Sequence, residues 1–168
     1  RDTKMSGFMF GGSALTLDIG VTNNTGFAVN RGDVLQIALA VAADDGLLAE
    51  ECASGTGDIN IFSITGVVLA PTGMDIAQGD NCTVRVVGPA KAKAKASQAY
   101  VVGQGIKPTD GLTPAAGTPL TFDASAAPNS AAADLAAGNM LAKAVCLEAV
   151  GSATAGQLID VWMKGLPL

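Results

Sequence analysis

Apolar and polar residues alternate along several short stretches of this chain. Leu15-Thr16-Leu17-Asp18-Ile19 alternates residue by residue, which predicts a half-buried strand, and the Thr, Asn and Gly of Val21 to Gly26 predict a turn after it. Val34 to Val41 sets Leu35, Ile37, Leu39 and Val41 against Val34, Gln36, Ala38 and Ala40, a strand with one strongly apolar face that Asp44-Asp45-Gly46 closes. Leu47 to Ala53 fits one helical turn or an extended link. Ile59 to Leu69 is apolar and β-branched, with Gly66 placed for a bulge. Cys82 to Val87 alternates again, and Gly88-Pro89 is expected to stop it. Pro108, Pro114, Pro119 and Pro128 divide a loop-rich stretch around a short strand, Leu120-Thr121-Phe122. Ser130 to Ala137 predicts a two-turn helix, capped by Ser130 or Asn129 and stopped by Gly138. Ala142 to Ala149 and Gln157 to Met163 read as two strands around the small-residue turn Gly151 to Gly156. Residues 1–14 are Gly-rich and carry Met5, Phe8, Met9 and Phe10, the composition of an extended arm lying on another surface. The expected fold is mainly β with short helical segments: an N-terminal arm over 1–14, then a single β-rich domain over 15–168 with no linker dividing it.

One turn recurs. Val29-Asn30-Arg31-Gly32-Asp33-Val34-Leu35, Ile76-Ala77-Gln78-Gly79-Asp80-Asn81-Cys82 and Leu135-Ala136-Ala137-Gly138-Asn139-Met140-Leu141 share one plan. An apolar residue is followed by two variable residues, Gly, Asp or Asn, one more residue and an apolar strand start. Gly accepts the positive φ at the third place of a type II turn, and Asp or Asn bonds the local backbone as the chain leaves. Arg31-Gly32-Asp33 also spells the tripeptide of many cell-adhesion ligands. However, the Arg31 place is held by Gln78 and Ala137 in the other copies, so the turn requires Gly32 and Asp33, not the arginine. Gly79, Asp80, Gly138 and Asn139 take the same structural role.

Composition narrows the function more by exclusion than by signal. The chain has 168 residues, 49% of them hydrophobic and only 15% charged, which argues against disorder and for a full core. The net charge of −5 with ten Lys and Arg makes nucleic acid a poor partner. No apolar run reaches the ~20 residues of a membrane helix. The absence of His removes His-based triads and the commonest metal ligand. Cys52, Cys82 and Cys146 are far apart and read as small core residues of a reducing compartment. Asn23-Asn24-Thr25 and Asn81-Cys82-Thr83 fit the glycosylation sequon and read as chance. Gly55 to Ile59 reads as a plain turn, and Asp44-Asp45 and Glu50-Glu51 as exposed acids. No catalytic, metal or cofactor constellation is expected, and Tyr100 and Trp162 sit in apolar segments that read as core. Lys91, Lys93 and Lys95 stand at every second place, with Ala90, Ala92, Ala94 and Ala96 between them. They predict one face of a solvated edge strand, since Lys on an edge blocks unwanted pairing. Contact with an acidic partner surface is the functional alternative.

The Gly-Asp turns before apolar strands and the ending AGNMLAKAVCLEAVGSATAGQLIDVWM resemble the capsid cement or decoration proteins of tailed bacteriophages. In that family a turn of this kind leads into a strand. A segment like Ala144-Val145-Cys146-Leu147-Glu148-Ala149, a small-residue turn and a closing strand like Leu158-Ile159-Asp160-Val161 come near the C-terminus. The match is best over 115–163. The resemblance implies a β-sandwich or barrel without catalytic residues or cofactors. It would bind the major capsid protein lattice on the outer surface of the virion, after assembly in the host cytoplasm, as a homo-oligomer, with trimer favoured over dimer. Met5, Phe8, Met9, Phe10, Lys91, Lys93 and Lys95 are the residues expected to touch the shell or a neighbouring subunit. A receptor- or glycan-binding virion module, or a minor capsid or tail subunit, is the alternative.

Overall fold

The computed structural model describes residues 16–38, 47–50, 64–109, 115–124 and 142–165. Among them every regular element is a strand. They are β1 (Leu17–Asn23), β2 (Val29–Asn30), β3 (Val34–Ala38), β4 (Leu48–Glu50), β5 (Ile64–Val68), β6 (Asp75–Ile76), β7 (Asn81–Lys93), β8 (Gly105–Pro108), β9 (Phe122–Asp123), β10 (Ala144–Cys146) and β11 (Leu158–Lys164). The N-terminal arm, the helix over 130–137, the third turn at Gly138-Asn139, Cys52 and the acids Asp44, Asp45 and Glu51 lie outside the described residues.

The strands β1-β4-β3-β5-β7 close into a five-stranded barrel because β1 also pairs with β7. β7 runs on out of the barrel and pairs with β11, beyond which come β10, β8 and β9. One long strand therefore joins two half-structures, and each has its own apolar centre. Val21, Val29, Leu35, Ile37, Val68, Val84 and Val86 fill the barrel. Tyr100, Ile106, Phe122, Cys146, Ile159, Val161 and Met163 fill the space beneath the extension. β3 and β5 are buried on both faces, since Leu35 and Val68 point into the barrel while Val34 and Val67 join the second core. That explains why their apolar residues are nearly continuous rather than alternating with polar ones.

Several elements differ from the sequence expectation. β1 continues through Asn23, where a turn was expected, because Val21 and Asn23 both face inward and are buried. Leu48–Glu50 is extended and pairs in parallel with β1. Gly66 is no bulge: β5 keeps register with β3, and a side chain at Gly66 would meet Val84 at 2.8 Å, so the glycine permits close packing. Gly88-Pro89 does not end its strand either. Gly88 takes φ 102, and Pro89 follows the last β1 pair, Leu17↔Val87, by two residues, so its missing N–H costs the barrel ladder nothing. Asn23, the first residue of a sequon, is fully buried. Its amide donates to the carbonyls of Phe27, Ile76 and Ala77, and its side-chain oxygen accepts from Thr25. It is a structural residue that clamps the second Gly-Asp turn to β1, with Gly79 N–H bonded to its carbonyl at 2.8 Å.

The outer faces of β1 and β7 are joined by a two-point ion pair. Arg85 Nε and Nη2 donate to the Asp18 carboxylate at 2.7 and 2.9 Å. These bonds hold the Asp18 carboxyl below its ordinary value of 3.8, against a smaller opposing effect of burial. A depressed folded-state pKa contributes stability that is present above the unfolded value and is lost as pH falls through the folded one. The expected result is that Asp18→Asn lowers the urea midpoint at neutral pH and that the two proteins converge below the Asp18 titration. A difference independent of pH would show that the ion pair is not its source.

Candidate interaction surface

The lysine row and the Arg31-Gly32-Asp33 turn, far apart in sequence, meet on one side of the molecule. β2 leads into a turn closed by Asp33 N–H to Asn30 carbonyl at 3.1 Å, with Gly32 at φ 86. The second copy repeats it, with Asp80 N–H to Ala77 carbonyl at 3.1 Å and Gly79 at φ 86. The turn geometry expected for both is thus present. Their surroundings differ. Gly79 has open space around it, whereas a side chain at Gly32 would collide with Leu158 Cδ2 and lie 3.3 Å from the Lys91 carbonyl.

Asp33 faces inward. Its carboxylate accepts from Asn30 N–H at 2.7 Å, from Leu120 N–H at 3.0 Å and from Lys93 Nζ at 2.7 Å. It is 6% exposed and Lys93 13%. An adhesion tripeptide must offer both charged side chains to its receptor, and here the acid is consumed in joining three segments of its own chain.

The lysines are not on an edge. Lys91 and Lys93 lie opposite Asp160 and Leu158 of β11, and Lys93 N–H bonds Gly32 carbonyl on the other side. The alternation itself is as expected, with Ala92 and Ala94 buried. Charge pairing replaces the solvated edge. Lys91 Nζ meets Asp160 at 2.7 Å, and Lys95 Nζ meets Asp123 at 2.6 Å. Asp123 is 2% exposed, so the second pair anchors the end of the row to β9, while the Lys91 pair, half exposed on both sides, adds little stability. The period-two spacing cannot reveal acids that come from the β2–β3 turn, β9 and β11.

Tyr100 is core, as expected. Its hydroxyl donates to Phe122 carbonyl at 2.7 Å and accepts from Lys95 N–H at 2.9 Å, and burial pushes its pKa up to about 12. Trp162 is not core. It points outward from β11 at 36% exposure, because the inward places of that strand belong to Ile159, Val161 and Met163. Leu158 and Leu147 are exposed on the same side, which gives the β10–β11 hairpin an apolar outer surface.

Beside that surface is an open groove of about 480 Å³. Leu69, Pro89, Ala90 and Leu147 contribute its accessible apolar lining, while Val68 and Val161 are fully buried at its floor. Its charged lining is Arg31, Arg85, Lys91 and Asp160, three cations to one anion in a chain of net charge −5. Arg85 was not singled out by the sequence, and Arg31 was read only as the replaceable place of its turn. The one hint was that Arg31 occupies a place the turn leaves free.

Among the described residues no three His, Cys, Asp or Glu side chains cluster to hold a metal. Burial raises the thiol pKa of both Cys82 and Cys146, so each is neutral at neutral pH and poorly suited to nucleophilic attack.

No family model matches this chain, and no curated protein does. Among solved structures it is similar to the N base of the head fiber protein gp8.5 of bacteriophage phi29. The TM-score is 0.43 at 12% identity, covering 91% of this chain and 98% of that one.

Proposed function

We propose that this chain is a structural protein of a phage virion, and more narrowly a capsid cement or decoration protein that binds the outer surface of an assembled shell. The observation that carries the reading is the β10–β11 hairpin. It contains the segments that resemble the family, Ala144 to Ala149 and Leu158 to Val161, and turns Leu147, Leu158 and Trp162 outward. Exposed apolar residues on both sides of the Asp160–Lys91 pair fit a protein partner. The partner is the major capsid protein lattice. A homo-oligomer, a trimer by family resemblance, gains avidity from contacts repeated around the shell. Its role is mechanical, with no cofactor. The arm residues Met5, Phe8, Met9 and Phe10 are assigned to shell or neighbour contact with the hairpin. In a reconstruction of the whole particle the chain is expected as density on the outer shell surface, with β11 turned to the lattice. Density confined to the tail or the shell interior would refute this.

A second reading has one observation in its favour. An exposed aromatic ring is a stacking platform for sugars, and Trp162 is exposed, so a virion surface module that binds a glycan is the alternative. It requires that a glycan array give a hit that Trp162→Ala abolishes.

A further inference from the structure

The three cations of the groove are not equivalent. Arg85 is spent: Nε and Nη2 hold Asp18, and Nη1 donates to Pro89 carbonyl at 2.7 Å. Lys91 is bonded to Asp160. Arg31 makes a single side-chain bond, Nη1 to Thr72 Oγ1 at 3.1 Å, and has no carboxylate partner among the described residues. Every other arginine and lysine with an ion pair in this region faces an aspartate of the same chain: Arg85 with Asp18, Lys91 with Asp160, Lys93 with Asp33 and Lys95 with Asp123. Arg31 stands on a rigid turn, at the place where the second copy carries Gln78. The groove it lines has accessible apolar residues at Leu69, Pro89, Ala90 and Leu147.

We propose that this groove is a docking site for an acidic side chain carried on an apolar segment of a partner protein, with Arg31 clamping the carboxylate and Leu147 covering the adjoining apolar residue. The identity of the partner as a protein surface rests on the function proposed above. Charge complementarity selects the occupant. One unpaired guanidinium matches one carboxylate, with two donors in a fork that a carboxylate fits. A nucleic-acid backbone would need several unpaired cations in file, and here the others are already neutralised.

The test uses the full chain free of shells and the peptide acetyl-Leu-Asp-Leu-amide, with acetyl-Leu-Asn-Leu-amide as the neutral control. Nuclear magnetic resonance titration is expected to shift the Arg31 side-chain N–H and the Leu147 methyls saturably with the Asp peptide. The Asn peptide should bind at least ten-fold more weakly. Arg31→Gln should weaken the Asp peptide at least ten-fold while leaving the thermal midpoint unchanged, and Arg31→Lys should restore part of the binding. Raising the salt to 1 M should weaken the complex. Equal binding of the two peptides, equal binding by Arg31→Gln, or shifts that avoid Arg31 and Leu147 would overturn the proposal. So would an oligothymidylate that displaces the peptide with higher affinity, since the groove would then be a phosphate site. The peptide arm does not involve shells. Peptide binding without shell binding refutes the cement reading alone, and shell binding without peptide binding refutes the groove alone.

Discussion

Asp33→Ala is expected to destabilise the chain by about 3–5 kcal/mol, the range for breaking a buried ion pair from one side. The variant leaves Lys93, 13% exposed, without its counter-charge, and it strands the N–H groups of Leu120 and Asn30. The loss is structural as well as electrostatic. That carboxylate fastens the β2–β3 turn to β7 and to the segment before β9, so it links the barrel to the extension. For a chain of this size the melting midpoint should fall on the order of 10 °C. Removing Lys93 as well should cost less than the sum of the two single changes, since the second substitution takes away the orphaned charge. A single-variant loss below about 1 kcal/mol in urea unfolding would mean that Asp33 is not the link described here.

Gly32→Val should destabilise by about 3 kcal/mol or more, from two causes that the second turn separates. A β-branched residue at φ 86 is strained by about 1–3 kcal/mol, and overpacking against Leu158 and the Lys91 carbonyl adds about 1–3 kcal/mol. Gly79→Val has the same φ but open space around it, so it should show the strain alone. Paired urea denaturation of the two variants measures the packing part as their difference. Equal midpoints would show that Gly32 is needed for its backbone angle only.

The sequence displayed the local half of this structure. The period-two pattern located β3, β7 and β11, the alternation of lysine and alanine in β7 gave the correct face, and the repeated Gly-Asp turn was recognisable without any fold. What it could not display were relations across distance. Three aspartates from the β2–β3 turn, β9 and β11 neutralise the lysine row, and nothing in 91–95 announces them. Gly88-Pro89 looked like a stop because the pattern does not reveal that the pairing of β7 with β1 ends at Val87 and that β7 runs on against β11. Trp162 looked like core because an apolar strand does not say which of its two faces is covered. The groove was illegible for the same reason: Arg31, Arg85 and Leu147 come from three separate segments and share a surface only after β7 has crossed from the barrel to the extension.

The proposed function is that this chain stabilises an assembled shell from outside. The most direct measurement compares expanded shells of the virus that encodes it, with and without saturating added chain, by the temperature at which they release their DNA. Contacts that exist only in the intact shell stabilise it by linkage, so the release temperature should rise with added chain and plateau at a fixed number of copies per shell. Shells that bind the chain yet release DNA at the same temperature, or shells that do not bind it, would contradict the account.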